Sequence, residues 1–175
     1  NIDISLADIF KNKVIQIKNN KYRFKHLILC LGKNFSNQKI ISKYTFVGDH
    51  KSYVGFFKHT YHHSQTAYEI FTPNGPLAIL PAPSKSKKVS TFIYSSNQKT
   101  SYENIKTLIK KKFNASHGKL VFDKESYQFE ILPHLSKPKS HQFFLIGDAL
   151  RSIHPVAGQG WNLGIKDIQQ LMKLL

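Results

Sequence analysis

Apolar and polar residues begin to alternate at residue 13. Val14, Ile15 and Ile17 are interleaved with Lys13, Gln16 and Lys18, and Asn19, Asn20 and Lys21 supply turn residues before a strand segment at 22–31. This period of two predicts a hairpin feeding a buried strand that Gly32 ends. After a polar stretch at 36–43, four more strands are expected at 53–58, 66–71, 76–80 and 89–94. Pro73, Asn74, Gly75 and Pro76 form a turn between two of them, because Asn and Gly tolerate positive φ while Pro fixes the flanks. The middle of the chain therefore reads as an antiparallel sheet rather than a series of βαβ units.

Thr100 and Glu103 stand three apart just before Ile105, Leu108, Ile109 and Phe113, a capping box ahead of an amphipathic helix expected to end near Asn114. A strand pattern at 120–131 follows, then a Pro- and Lys-containing linker at 133–140. At 143–146 four consecutive apolar residues stop abruptly at Gly147 and Asp148, the mark of a strand covered on both faces. A loop of small residues, 154–160, leads into Trp161, Ile165, Ile168, Leu171 or Met172, and Leu175 at helical spacing. Trp161, opening this apolar face, is read as core.

Composition narrows the class. Of 175 residues, 41% are hydrophobic and 13% aromatic, too much apolar side chain for a disordered chain, so a packed core is expected. The single cysteine, Cys30, excludes an internal disulfide and a zinc site built on paired thiolates, which fits a reducing compartment. No apolar run approaches the roughly 20 residues of a spanning helix. The formal net charge is +16, but 24 of the 26 cations are Lys and only Arg23 and Arg151 are Arg, the residue preferred for bidentate phosphate and base contacts. With 18 Ile and 11 Asn alongside, the lysines follow an A·T-rich coding bias more readily than a nucleic-acid surface, and no nucleic acid is expected. His59, His62 and His63 have neither carboxylate nor thiolate nearby in sequence, and no metal is assigned to them.

The chemistry concentrates in 147–162. A carboxylate at a strand exit, Asp148, accepts hydrogen bonds from a polyol. Gly158 and Gly160 allow backbone to approach a flat ring without Cβ interference. Amides of the following helix's first turn, with the helix dipole, favour negative charge by about 0.3 to 2 kcal/mol. A cofactor that becomes anionic, such as a reduced flavin, meets this description, although glycine-rich strand-to-helix turns serve other ligands too.

The stretches 145–149 and 154–167 resemble the second flavin motif of class A FAD-dependent aromatic hydroxylases and are most similar to the ubiquinone-biosynthesis group, UbiH/UbiF/VisC. His63, 67–69 and 71–81 are similar to that group's substrate-domain signature. The resemblance implies an α+β fold: an antiparallel substrate-domain sheet with a helix, plus the C-terminal part of a Rossmann-like FAD-binding domain. It divides the chain at 1–45 (partial FAD-binding domain), 46–135 (substrate-binding sheet with one helix) and 136–175 (second flavin motif). The implied activity is FAD-dependent hydroxylation of a lipophilic, polyprenylated phenol, with NAD(P)H and O2 as co-substrates. Asp148, with Gly147, would bind the ribityl chain, and Pro155, Ala157, Gly158, Gln159, Gly160 and Asn162 would lie along the isoalloxazine. No side chain is named as a catalytic acid or base.

Three departures accompany the resemblance. Leu31-Gly32 stands where the group carries Asp-Gly, and Leu150-Arg151 replaces a small residue and His after Gly-Asp-Ala. No Gly-x-Gly-x-x-Gly turn occurs. With Asn1 at its start, the chain is read as an internal piece of a longer cytoplasmic enzyme, compatible with peripheral membrane attachment through lysines and with a separate chain carrying the missing FAD half. An inactive remnant of such an enzyme and a lysine-rich nucleic-acid-binding module are the rival readings.

Overall fold

A computed structural model describes residues 9, 12–17, 19–35, 39–46, 48, 50–82, 85–154 and 158–175. The chain forms two compact units, one of Asn1–Thr45, Pro133–Ile153 and Gln159–Leu175, the other of Phe46–Leu132 and His154–Gly158.

The first unit opens with an antiparallel hairpin, β1 (Val14–Ile17) and β2 (Asn20–Arg23), followed by β3 (Leu27–Leu29) and β4 (Ile41–Thr45). The expected run at 22–31 is thus two strands: β2 is exposed along its length, and only Leu29 of β3 is buried. The second unit contributes β5 (Lys51–His59), β6 (Tyr68–Thr72), β7 (Gly75–Pro81), β8 (Val89–Ser96), helix α1 (Tyr102–His117), β9 (Leu120–Phe122) and β10 (Tyr127–Glu130). The chain then returns to the first unit through β11 (His134–Pro138), β12 (Phe143–Leu145), a 3-10 turn at Gly147–Ala149, β13 (Arg151–Ser152) and helix α2 (Gln159–Leu174).

In the second unit the sheet runs β10-β5-β8-β7-β6, every pair antiparallel, with β9 on the far part of the β5 edge that β10 occupies. Strand periodicity sends Phe57, Leu77, Ile79, Phe92 and Tyr94 to one face, where Ile105, Ile109 and Phe113 of α1 meet them at i, i+4 spacing. Ser101, extended at φ −88° and ψ 156°, caps the helix: its Oγ accepts from the Asn104 amide at 3.2 Å. Where the pattern predicts a box on Thr100 and Glu103, Glu103 instead pairs with Lys106. The helix also runs one turn beyond Asn114, because His117 is 1% exposed against Phe57, Tyr68 and Phe113.

In the first unit β3 and β12 pair in parallel, Phe143 opposite Leu27 and Leu145 opposite Leu29, so the apolar run expected as a strand is one over Phe143–Leu145. Within 133–140, expected as linker, His134–Pro138 form β11 in a three-stranded antiparallel sheet with β4 and β13. The alternation there is carried by His134 and Ser136, polar residues that are 4% and 2% exposed, so a hydropathy pattern misses it. Leu29, Ile41, Phe143, Leu145 and Ala149 form the core of this unit. Among the described residues no helix is long and apolar enough to cross a membrane.

Candidate functional site

Strand β12 ends where the predicted chemistry begins. Gly147 takes φ +60°, a left-handed conformation that favours glycine, and starts the 3-10 turn that leaves the Asp148 side chain exposed. Two interactions within the first unit hold this turn. His134 Nε2 lies 2.9 Å from the Asp148 backbone oxygen. Asp167, reaching back from α2, accepts the Gly147 amide at 3.1 Å through one carboxylate oxygen and pairs with Arg151 through the other. Asp167 is 6% exposed, so this carboxylate is buried only because both oxygens are occupied. The Leu150-Arg151 departure thus has two structural consequences: Leu150 packs against the first unit's core, and Arg151 supplies the cation that Asp167 requires.

Of the predicted flavin residues, Gly147, Asp148, Gly158, Gln159, Gly160 and Asn162 are described; Pro155 and Ala157 lie outside the described residues. Gly158 takes φ +61°, and a Cβ built on Gly158 or Gly160 meets no atom within 4 Å. The backbone at the head of α2 therefore borders open space. Gln159 and Asn162, one turn apart, are joined by a 3.2 Å hydrogen bond from Asn162 Nδ2 to Gln159 Oε1. Trp161, expected in a core, is 77% exposed, while α2 buries Asp167 and Leu171.

In the second unit, the sheet face turned away from α1 carries a cavity of about 520 Å³. Its walls are Ala67, Tyr68 and Glu69, then Pro76, Ala78 and Leu80 of β7, Ile93 and Ser95 of β8, and Gly158. Glu69, Ala78 and Ile93 are direct cross-strand neighbours, so the small Ala78 makes a low point in the middle of that row. A mainly apolar concavity of this size with a few polar groups is the usual form of a small-molecule site. The substrate-domain signature supplies six wall residues, Ala67 to Glu69, Pro76, Ala78 and Leu80.

Several functional-looking residues lie outside the predicted set. His154, at the entrance to the glycine loop, places Nε2 at 3.3 Å from Nδ1 of His50, with the rings edge-on at 5.3 Å. Burial, then the neighbouring His50, holds His154 below the ordinary imidazole pKa. A partner 104 residues away leaves no local signal in the sequence. Likewise His59 and His63 gather with His117 of α1, whose ring is 4.8 Å from that of His59. Burial first, and the other imidazoles after it, lower the pKa of His117; for His59 burial also leads. Among the described residues no group of His, Cys, Asp or Glu is arranged to hold a metal ion.

Comparison with known proteins bears on this geometry. Residues 32–175 match the family described as FAD binding domain. The chain is 30% identical over 127 residues to ubiquinone hydroxylase UbiL of Rhodospirillum rubrum, covering 67% of this chain and 29% of that protein. It is 27% identical over 167 residues to ubiquinone hydroxylase UbiM of Neisseria meningitidis, covering 91% of this chain and 36% of that protein. A solved structure of a triple mutant of the flavin-dependent brominase Bmp2 superposes with a TM-score of 0.64 at 13% identity, over 87% of this chain and 44% of that one, a likeness of fold. The chain spans about a third of the length of the two ubiquinone hydroxylases. These matches agree with the resemblance read from residues 145–167.

Proposed function

Because the chain belongs to the FAD-binding domain family, we propose that it is the substrate-sheet and flavin-contacting part of an FAD-dependent monooxygenase that hydroxylates a polyprenylated phenol in ubiquinone biosynthesis, using NAD(P)H and O2. The observation that carries this reading is a single cavity walled by the helix-free face of the sheet and by Gly158 of the glycine loop. The names of the UbiL and UbiM relatives supply the substrate class.

The residues fit the cofactor. The exposed Asp148 carboxylate would accept from ribityl hydroxyls beside Gly147, and the Cβ-free backbone at Gly158 and Gly160 leaves room for a flat ring. Gln159 and Asn162, with Pro155 and Ala157 of the same loop, would complete that contact. Bound there, FAD supplies the redox chemistry that no side chain of the chain provides. The chain's own share is to bind, orient and exclude water. Pro76, Leu80 and Ile93 would bury a lipophilic phenol, at about 25 cal/mol per Å² of apolar surface. Glu69 and Ser95 are the polar groups on that wall able to hydrogen-bond a phenolic hydroxyl. No acid or base is assigned. The pyrophosphate of FAD would be held by a glycine-rich βαβ unit, contiguous or on a separate chain, and lysines would attach the assembly to the cytoplasmic membrane face.

Co-expression with the glycine-rich unit of a relative tests the reading. A yellow complex that consumes NADPH in response to a short-chain polyprenyl phenol is expected. Ala78→Phe, which fills the cavity, should abolish the response to phenol while flavin absorbance persists. A folded but colourless complex, or an unchanged response in Ala78→Phe, overturns it.

A further inference from the structure

The first unit contains a second hollow, of about 340 Å³, that the flavin reading does not use. Three chain segments distant in sequence converge on it: Lys13 at the head of β1, Phe24 to His26 between β2 and β3, and His141, Gln142 and Phe144 at the start of β12. The Phe24 amide donates to the Lys13 carbonyl at 3.0 Å, tying the first two walls together. The parallel pairing of Phe143 with Leu27 sets the other two side by side. Because β3 and β12 run in the same direction, this hollow lies at their N-terminal ends. Gly147 and Asp148 leave from the opposite end of β12, roughly 10 Å away along a three-residue strand.

The lining is unusual in its charge. Four basic side chains, Lys13, Lys25, His26 and His141, surround it, and Gln142 is the other polar group. No carboxylate among the described residues forms an ion pair with Lys13 or Lys25. Lys13 also holds φ +49°, a conformation costly for a residue with a Cβ and associated with binding sites. Two phenylalanine rings complete the walls, with the His26 ring 6.4 Å from that of Phe144. Cations with no carboxylate partner among the described residues, beside aromatic surface and in a hollow too small for an extended polymer, call for a compact anion carried on an apolar or flat group.

We propose that this hollow binds an organic phosphate, its phosphate against Lys13 and Lys25 and its carbon portion against Phe24 and Phe144. The phosphate comes either from a soluble phosphate ester or from a lipid headgroup, and the two are separated by probe. Phenyl phosphate represents the first; vesicles of phosphatidylcholine with and without phosphatidate represent the second. Saturable perturbation of the His26 and His141 imidazole NMR signals by phenyl phosphate identifies a soluble ester. Sedimentation with phosphatidate vesicles alone, in the absence of that response, identifies a lipid headgroup.

In either case Lys25→Gln should weaken binding about threefold to fivefold, the range of an exposed charge pair. Lys13→Gly, which keeps the left-handed backbone and removes the cation, should do the same without loss of thermal stability. His141→Gln, at an exposed position, is the second measure should either lysine variant fail to fold. Lys111→Gln, on exposed α1 in the other unit, should leave binding unchanged. Failure of both probes to bind, or an equal loss in Lys111→Gln, shows that only the diffuse charge of +16 is at work and overturns the proposal.

Discussion

The two units solve the burial problem differently. In the second, α1 and the sheet each turn an apolar face to the other, and nine of the ten residues in the shared core are at most 4% exposed. In the first, α2 turns inward only Asp167 and Leu171, while Trp161, Ile165, Ile168 and Met172 along its length stay between 41% and 77% exposed. Among the described residues its parallel pair β3 and β12 has two strands, although parallel strands normally sit within larger sheets covered on both faces. One unit is held by apolar packing; the other relies on a buried polar clamp, Asp167, to position the turn that carries Asp148. Local sequence encodes the first kind of order well and the second poorly.

The largest expected effect follows from the closed core. Ile109 is fully buried between α1 and the sheet, so Ile109→Ala removes three carbons and leaves a void that rigid neighbours cannot fill. It should lower the stability of the second unit by about 2 to 5 kcal/mol in urea unfolding followed by circular dichroism. A loss below 1 kcal/mol would mean that this core is not the main support of the unit.

Asp167→Ala strikes the polar clamp. It leaves the Gly147 amide without its acceptor and Arg151 without its carboxylate, for a cost of about 1 to 3 kcal/mol. Amide hydrogen exchange should show faster exchange at Gly147, with the strands of the second unit unaffected. Equal acceleration in both units would erase the distinction drawn between them.

How much of this was legible beforehand follows the same division. The strands at 53–58, 76–80 and 89–94 and the helix face of Ile105, Ile109 and Phe113 are visible because each has an apolar side with the period of its element. The strand exit at Gly147 and Asp148 is visible because a four-residue apolar run stops there. What escaped notice is held by polar pairs across long separations. His134 and Ser136 bury the side of β11 that a hydropathy pattern would call solvent-facing. His50 meets His154 across 104 residues, and His117 joins His59 from a different element. Ser101 rather than Thr100 caps α1 because the choice between adjacent hydroxyl residues depends on backbone angles.

The histidine cluster gives the second unit a pH response of its own. His59, at the end of β5, has Nδ1 2.6 Å from the Tyr61 carbonyl and Nε2 3.0 Å from Ser90 Oγ. The Gln65 amide donates to His63 Nδ1, and His117 Nε2 has no partner among the described residues. Lys88 and His62 add positive charge nearby. Burial keeps His59 and His117 below their ordinary value of 6.5, so below that pH the unfolded chain takes up protons that the folded unit refuses. Stability is therefore whole above about pH 6.5 and falls as pH drops through the window down to the lowered folded values. His117→Phe, close in volume, should change stability at pH 7.5 by less than about 1.5 kcal/mol and make the acid loss shallower. An unchanged slope would remove this cluster as its cause.

The smallest effect is expected where α2 is uncovered. Met172 is 74% exposed, so Met172→Ser removes side-chain surface that is already in contact with water. The change should stay within about 0.5 kcal/mol in the chain as it stands. Leu171→Ser, one residue earlier and 7% exposed, should cost several times more, because its neighbours would be left around a buried hydroxyl. The contrast between adjacent positions, measured by thermal unfolding, tests whether the apolar side of this helix is free. If Met172→Ser were as damaging as Leu171→Ser, that side would have a cover in solution, and the first unit would be as closed as the second.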